Sequence, residues 1–136
     1  MADVKQSTEL LEMATEAMNK AYVPYSRFQV GAAILTANGQ VYSGCNVENA
    51  AFPEGTCAEA GAIASMVLGG ETQIKDIYVI GNGDALVTPC GGCRQKIREF
   101  ASADTQIHIC GAEGVRKSFT MNELLPYSFG PENLEQ

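Results

Sequence analysis

Phe28-Gln29-Val30-Gly31-Ala32-Ala33-Ile34-Leu35, running through Thr36-Ala37-Asn38-Gly39 into Gln40-Val41-Tyr42-Ser43-Gly44-Cys45, is the stretch that decides the fold. Its first run is apolar at successive positions, and a strand apolar on both sides needs cover on both sides. Asn38-Gly39 is the strongest short hairpin signal, through a type I′ turn with positive φ at both residues. Gln40 to Cys45 is then the returning strand. Upstream, Leu10, Ala14, Ala17, Met18 and Ala21 share one helical face, with Ser7 as N-cap and Pro24 as terminator. Downstream, the loop 46–55 leads to a helix from Cys57 to Leu68, with Thr56 and Glu59 as a capping box and Gly69-Gly70 as the close. Ile77-Tyr78-Val79-Ile80 is a buried strand and Asn82-Gly83-Asp84 a loop. Thr88 caps a third helix with Pro89 at its first position and Ile97 and Phe100 on its apolar side. Gln106–Cys110 and Arg116–Phe119 are further strands, and Thr120 with Glu123 forms a capping box before Leu124-Leu125-Pro126. A hairpin followed by alternating helices and strands makes an α/β chain: a mixed sheet with helices on both faces.

No linker or repeat divides the 136 residues, so residues 1–136 read as one domain. Sixteen acids against nine bases leave a net charge of −7. That argues against a nucleic-acid partner, since phosphate binding needs clustered Lys and Arg. The first residues lack a basic-then-apolar signal, and no apolar run approaches the roughly 20 residues of a membrane span. The expectation is a soluble protein of the cytoplasm. Five cysteines cannot all pair, and in a reducing compartment clustered cysteines mean metal or catalysis more often than cross-links.

Three of them stand where helices begin: Cys57, and the pair in Cys90-Gly91-Gly92-Cys93. Residues three apart on a helix share a face, and a helix N-terminus favours the thiolate. Zinc takes sulfur ligands, and with three protein ligands it keeps a position for water, as catalytic sites do. Such water ionises near pH ~7, and Glu59, two residues after Cys57, can carry its proton without being a ligand. Cys45 and Cys110 read as small hydrophobes, and the single His108 as structural.

These residues carry a resemblance. Thr56-Cys57-Ala58-Glu59 with Pro89-Cys90-Gly91-Gly92-Cys93-Arg94-Gln95 resembles the signature of the zinc-dependent cytidine deaminases, whose zinc–water mechanism is known. Tyr25–Ala33, Gly44–Phe52 and Glu123-Leu124-Leu125-Pro126 with Phe129 extend the likeness to nearly the whole chain. The resemblance implies a three-layer α-β-α sandwich around a five-stranded mixed sheet. It also implies one zinc per subunit on Cys57, Cys90 and Cys93, and a homotetramer with active sites shared between subunits. By the same resemblance, zinc-bound hydroxide attacks C4 of cytidine or 2′-deoxycytidine while Glu59 shuttles protons, releasing ammonia in pyrimidine salvage. Asn46 and Glu48 would bind the ribose, and Phe28 would pack on the base. Phe52 and Phe129 would come in at shared pockets, and the Cys57 or Ala58 backbone N–H would contact the base.

Ala60 departs from the short form of the family, which commonly has Arg directly after its Glu. Either the helix termini suffice to balance the thiolates, or another cation such as Arg94 does so. Rival readings are a modified aminonucleoside as substrate, a non-catalytic zinc module, and a Cys90–Cys93 redox pair. The zinc module predicts tight zinc with no ammonia release, and the redox pair a reversible Cys90–Cys93 disulfide with activity that needs no metal.

Overall fold

The computed structural model describes residues 4–135. The order is α1 (Val4–Asn19), β1 (Val30–Thr36), β2 (Val41–Cys45), α2 (Ala58–Leu68), β3 (Ile74–Gly81), α3 (Gly91–Glu99), β4 (Ala101–Gly111), β5 (Gly114–Thr120) and α4 (Met121–Leu124). Short 3-10 turns cover Phe52–Glu54 and Pro131–Leu134. The sheet runs β2-β1-β3-β4-β5, parallel only between β3 and β4 and antiparallel elsewhere.

Both faces of this five-stranded mixed sheet are covered, as the apolar run of β1 requires. Side chains alternate along a strand, so Ala32 and Ile34 point one way and Ala33 and Leu35 the other. On one side Leu10 and Ala14 of α1 pack with Ala33, Leu35, Tyr78 and Ile80. On the other, Ala58, Ala62 and Met66 of α2 and Ile97 of α3 meet Ala32, Ile34, Ile77, Val79, Ile107 and Ile109. Each fully buried Ile or Leu stabilises by about 1.5–3 kcal/mol over an exposed one, and the central strands supply most of them. Gly44 lets α2 approach β2: a Cβ there would lie 2.3 Å from the Ala62 nitrogen.

Several element ends differ from the sequence reading. α1 is already helical at Val4, so Ser7 is not its cap; the Ser7 hydroxyl instead pairs with the Tyr78 hydroxyl at 3.1 Å. α1 stops at Asn19, ahead of Pro24, because Tyr22 leaves to bridge Val47: its N–H donates to the Asn46 carbonyl. β1 begins at Val30, since the Phe28 N–H and carbonyl are bound to the Ser26 hydroxyl and the Asn46 amide. Only Gly39 has positive φ in the hairpin turn, so the turn is not type I′. The Gly39 N–H donates to the Thr36 carbonyl, the pattern of a longer loop closed by a left-handed glycine.

The capping residues of α2 and α3 are Cys57 and Cys90, not Thr56 and Thr88. Thr56 is drawn into a backbone bridge with Val47, and the Thr88 hydroxyl accepts from Arg94. The capping box on α4 forms as read: the Glu123 N–H donates to the Thr120 hydroxyl and the Thr120 N–H to Glu123. Cys110 is buried as expected, whereas Cys45 is half-buried. At the acidic tail Glu132 pairs with Arg98, and Gln136 lies outside the described residues. Among the described residues no helix is long and apolar enough to cross a membrane.

Candidate active site

The N-terminal ends of α2 and α3 converge on one face of the sheet. That convergence brings the Cys57, Cys90 and Cys93 sulfurs within 4.8 Å of one another, with Cys57 and Cys90 3.9 Å apart. Tetrahedral zinc with Zn–S bonds near 2.3 Å spaces its sulfurs by about 3.8 Å, so the donor set fits that ion in number, chemistry and separation. Cys57 and Cys90 are the N-caps and Cys93 is the third residue of α3, so each sulfur lies where orphan backbone N–H groups and the positive helix end favour a thiolate. Neither N-cap sulfur accepts a full capping hydrogen bond, yet the Cys93 N–H facing Cys90 holds that thiol below its ordinary range. Burial pushes Cys57 and Cys93 up, and the nearby Glu59 charge pushes Cys93 further. Thiols so placed demand a cation to become thiolates.

Glu59, in the first turn of α2, is 4% exposed. Burial raises its pKa, with Cys93 and Lys96 acting the other way. A carboxyl that is easily protonated beside a metal-ligand cluster suits proton transfer. Arg94 does not compensate the sulfurs. Its guanidinium donates to the Pro89 carbonyl at 2.8 Å, the Leu124 carbonyl at 2.9 Å and the Thr88 hydroxyl at 3.0 Å, so it ties α3 to α4. Ala60 offers no charge in its place.

A cleft of about 370 Å³ opens beside Cys57, Ala58, Glu59 and Cys90 and is walled by Phe28, Asn46, Glu48 and Phe52. Asn46 donates to the Phe28 carbonyl at 2.9 Å and accepts from the Val30 N–H at 2.8 Å. Glu48 accepts the Tyr25 and Ser26 N–H groups at 3.0 and 3.1 Å, and the Ser26 hydroxyl as well. Those Ser26 bonds hold Glu48 below the usual carboxylate range, so it stays an acceptor. Phe52 is mostly exposed and meets Tyr25 edge to face at 6.1 Å. Phe129 does not reach the cleft of its own chain. It is more than half exposed on a strap whose backbone carbonyl accepts from Gln95 of α3.

Neither Val87 as a wall residue nor the role of Gly81 behind it was legible in the sequence. Val87 lines the cleft from the loop after β3, and Gly81 makes room for it. A Cβ on Gly81 would stand 3.1 Å from Val87 and 3.2 Å from the Phe28 ring. The loop is held by Arg116 of β5, which donates to the carbonyls of Gly83 and Ala85. Nothing in the run Gly81–Val87 signals this packing; it depends on a strand that arrives some thirty residues later. His108 is structural: its ring bridges Asp76 at 2.8 Å and Ser118 at 2.6 Å on the α1 side of the sheet.

Residues 4–109 match the family model for the cytidine and deoxycytidylate deaminase zinc-binding region. The chain is 38% identical over 126 residues to a cytidine deaminase of Sporosarcina psychrophila, covering 93% of each chain. It is 40% identical over 125 residues to that of Halalkalibacterium halodurans, covering 92% of this chain and 95% of the other. Among solved structures, cytidine deaminase from Burkholderia pseudomallei superposes with a TM-score of 0.83 at 37% identity, covering 90% and 98% of the two chains. That from Mycobacterium tuberculosis gives 0.78 at 35% identity, covering 90% and 96%.

Proposed function

The chain belongs to the cytidine and deoxycytidylate deaminase family, and from that premise we propose that it converts cytidine and 2′-deoxycytidine to uridine and 2′-deoxyuridine with release of ammonia. The observation that carries this reading is the single one of three sulfurs within 4.8 Å beside a buried glutamate at the floor of a cleft. Zinc held by Cys57, Cys90 and Cys93 supplies the Lewis acid that makes water reactive near neutral pH. Glu59 takes the proton that water loses. It delivers that proton to N3 of the pyrimidine, then takes the second proton of the same water and delivers it to the departing amino group, which leaves as ammonia, so one carboxyl serves twice. Burial equips it for both roles, because the protonated form is accessible without leaving the site. The unpaired N–H groups at the start of α2, Ala58 among them, face the reacting base.

Phe28 walls the base, while Asn46 and Glu48 offer a mixed donor–acceptor and an anionic acceptor to the sugar hydroxyls. The ligand is an uncharged nucleoside, which needs no basic patch and agrees with a net charge of −7. We place the enzyme in the cytoplasm in pyrimidine salvage, as one domain binding one zinc per chain, in a homotetramer whose Phe129 and Phe52 complete neighbouring sites.

The test is direct. Zinc per chain is quantified, and the loss of cytidine absorbance and the release of ammonia are followed with the zinc-loaded protein. Turnover of cytidine and 2′-deoxycytidine is expected; a zinc-loaded protein that turns over neither sinks the reading. Glu59→Gln should retain zinc and lose about 10²–10⁴ in kcat.

A further inference from the structure

The segment between α1 and β1 is irregular, and its path is costly. Arg27 has φ of 61°, a left-handed backbone that is strained for a bulky residue and persists only when its surroundings hold it. What holds it is a short chain of hydrogen bonds through one hydroxyl. The Phe28 N–H donates to Ser26 Oγ at 3.0 Å, and Ser26 Oγ–H donates to Glu48 Oε2. Glu48 Oε1 meanwhile accepts the Tyr25 and Ser26 N–H groups, and Asn46 holds the other side of the Phe28 peptide through its carbonyl.

We propose that Ser26 is a positioning residue that couples sugar recognition by Glu48 to the Phe28 wall against the base. The inference rests on the nucleoside reading of the cleft given above. A carboxylate has about four lone-pair sites, and Ser26 with its neighbours occupies three of them in a fixed arrangement. One acceptor direction therefore remains for a sugar hydroxyl, aimed by the same hydroxyl that fixes Phe28. Ser26 touches no reacting atom and should govern binding, not chemistry. Without its hydroxyl, Glu48 keeps its two backbone donors but loses the bond that fixes Oε2, and the Phe28 N–H loses its acceptor.

The experiment compares Ser26→Ala and Ser26→Thr with the unaltered zinc-loaded enzyme on cytidine and on 2′,3′-dideoxycytidine. Ser26→Ala should raise KM for cytidine about tenfold, the worth of one hydrogen bond to a charged group, with kcat within about twofold. The rise should be smaller for the dideoxynucleoside, which lacks the 2′- and 3′-hydroxyls. Ser26→Thr, which keeps the hydroxyl, should restore KM. Equal KM values for Ser26→Ala and the unaltered enzyme overturn the coupling. A fall confined to kcat, or an equal effect on both nucleosides, overturns it too. If the unaltered enzyme turns over no nucleoside, the reading of the cleft fails and this inference goes with it, a result distinct from the other three.

Discussion

Cys57 and Cys90 each do two things at one position: they end the non-helical approach to a helix, and they point a sulfur at the space between the helices. An N-cap residue is held in an extended backbone conformation, so its side chain leaves the helix axis and is free to face a neighbour. Cys93, one turn further on, is buried and completes the triangle. All three sulfurs are then needed. Cys93→Ala should abolish stoichiometric zinc, read by metal analysis, and lower the thermal midpoint. The zinc-loaded protein should gain stability from its metal, because an ion bound only by the folded state stabilises that state. Removing zinc with a chelator should abolish turnover, and adding zinc back should restore it. A chelated protein that keeps full activity would contradict the metal assignment.

Between elements, polar bridges do work that no single segment announces. Asp76 of β3, His108 of β4 and Ser118 of β5 form one line of hydrogen bonds across three neighbouring strands, with Tyr78 stacked on the His108 ring. Asp76 is buried and its other oxygen has no hydrogen-bond partner among the described residues, so His108 is what makes its burial tolerable. His108→Ala should destabilise by about 3 kcal/mol in denaturant unfolding, with zinc content unchanged. At the start of α4, Thr120→Ala should cost about 1 kcal/mol through loss of its cap. The Thr120 N–H and hydroxyl hold Glu123 below its ordinary pKa. The stability from that bond is therefore present above the ordinary carboxylate range and is lost as pH falls through the lower folded value. A Glu123→Ala variant should differ from the unaltered protein at pH 7 and converge with it in acid.

For the whole molecule, the two faces of the sheet divide the labour. The α1 face packs Leu10 and Ala14 on the sheet, whereas the face carrying α2 and α3 holds the sulfurs, Glu59 and the cleft. Large apolar side chains remain exposed around the cleft mouth and on the terminal strap, including Phe52, Tyr127 and Phe129. Such patches mark contact surfaces. If neighbouring copies complete one another's sites, Phe129→Ala should raise KM for cytidine several-fold while the single chain stays folded. Sedimentation should show four chains together for the unaltered protein. A monomer with an unchanged KM would remove the shared site.

The donor chemistry and the element order were legible in the linear chain, while the exact starts of elements and the walls of the cleft were not. The cysteine pair Cys90 and Cys93 sits within one helical turn, so spacing alone puts both sulfurs on one side. β1 announced its double cover by being apolar at successive positions from Val30 to Leu35, because neighbouring residues face opposite ways. Thr56, in contrast, reads as a cap until Val47 claims its backbone, and Phe28 reads as strand until Ser26 and Asn46 claim both sides of its peptide. Asn46 and Glu48 are found to hold the loop as well as wall the cleft, and Gly81 to leave room for Val87 and the Phe28 ring. What the sequence determined by itself is whatever a residue's own chemistry and its neighbours within a turn dictate: sulfur donors, a proton carrier, helical and strand periods. The tertiary structure decided which of several competent partners each backbone and side-chain group takes, since those partners lie tens of residues away and only the packed sheet brings them within hydrogen-bond reach.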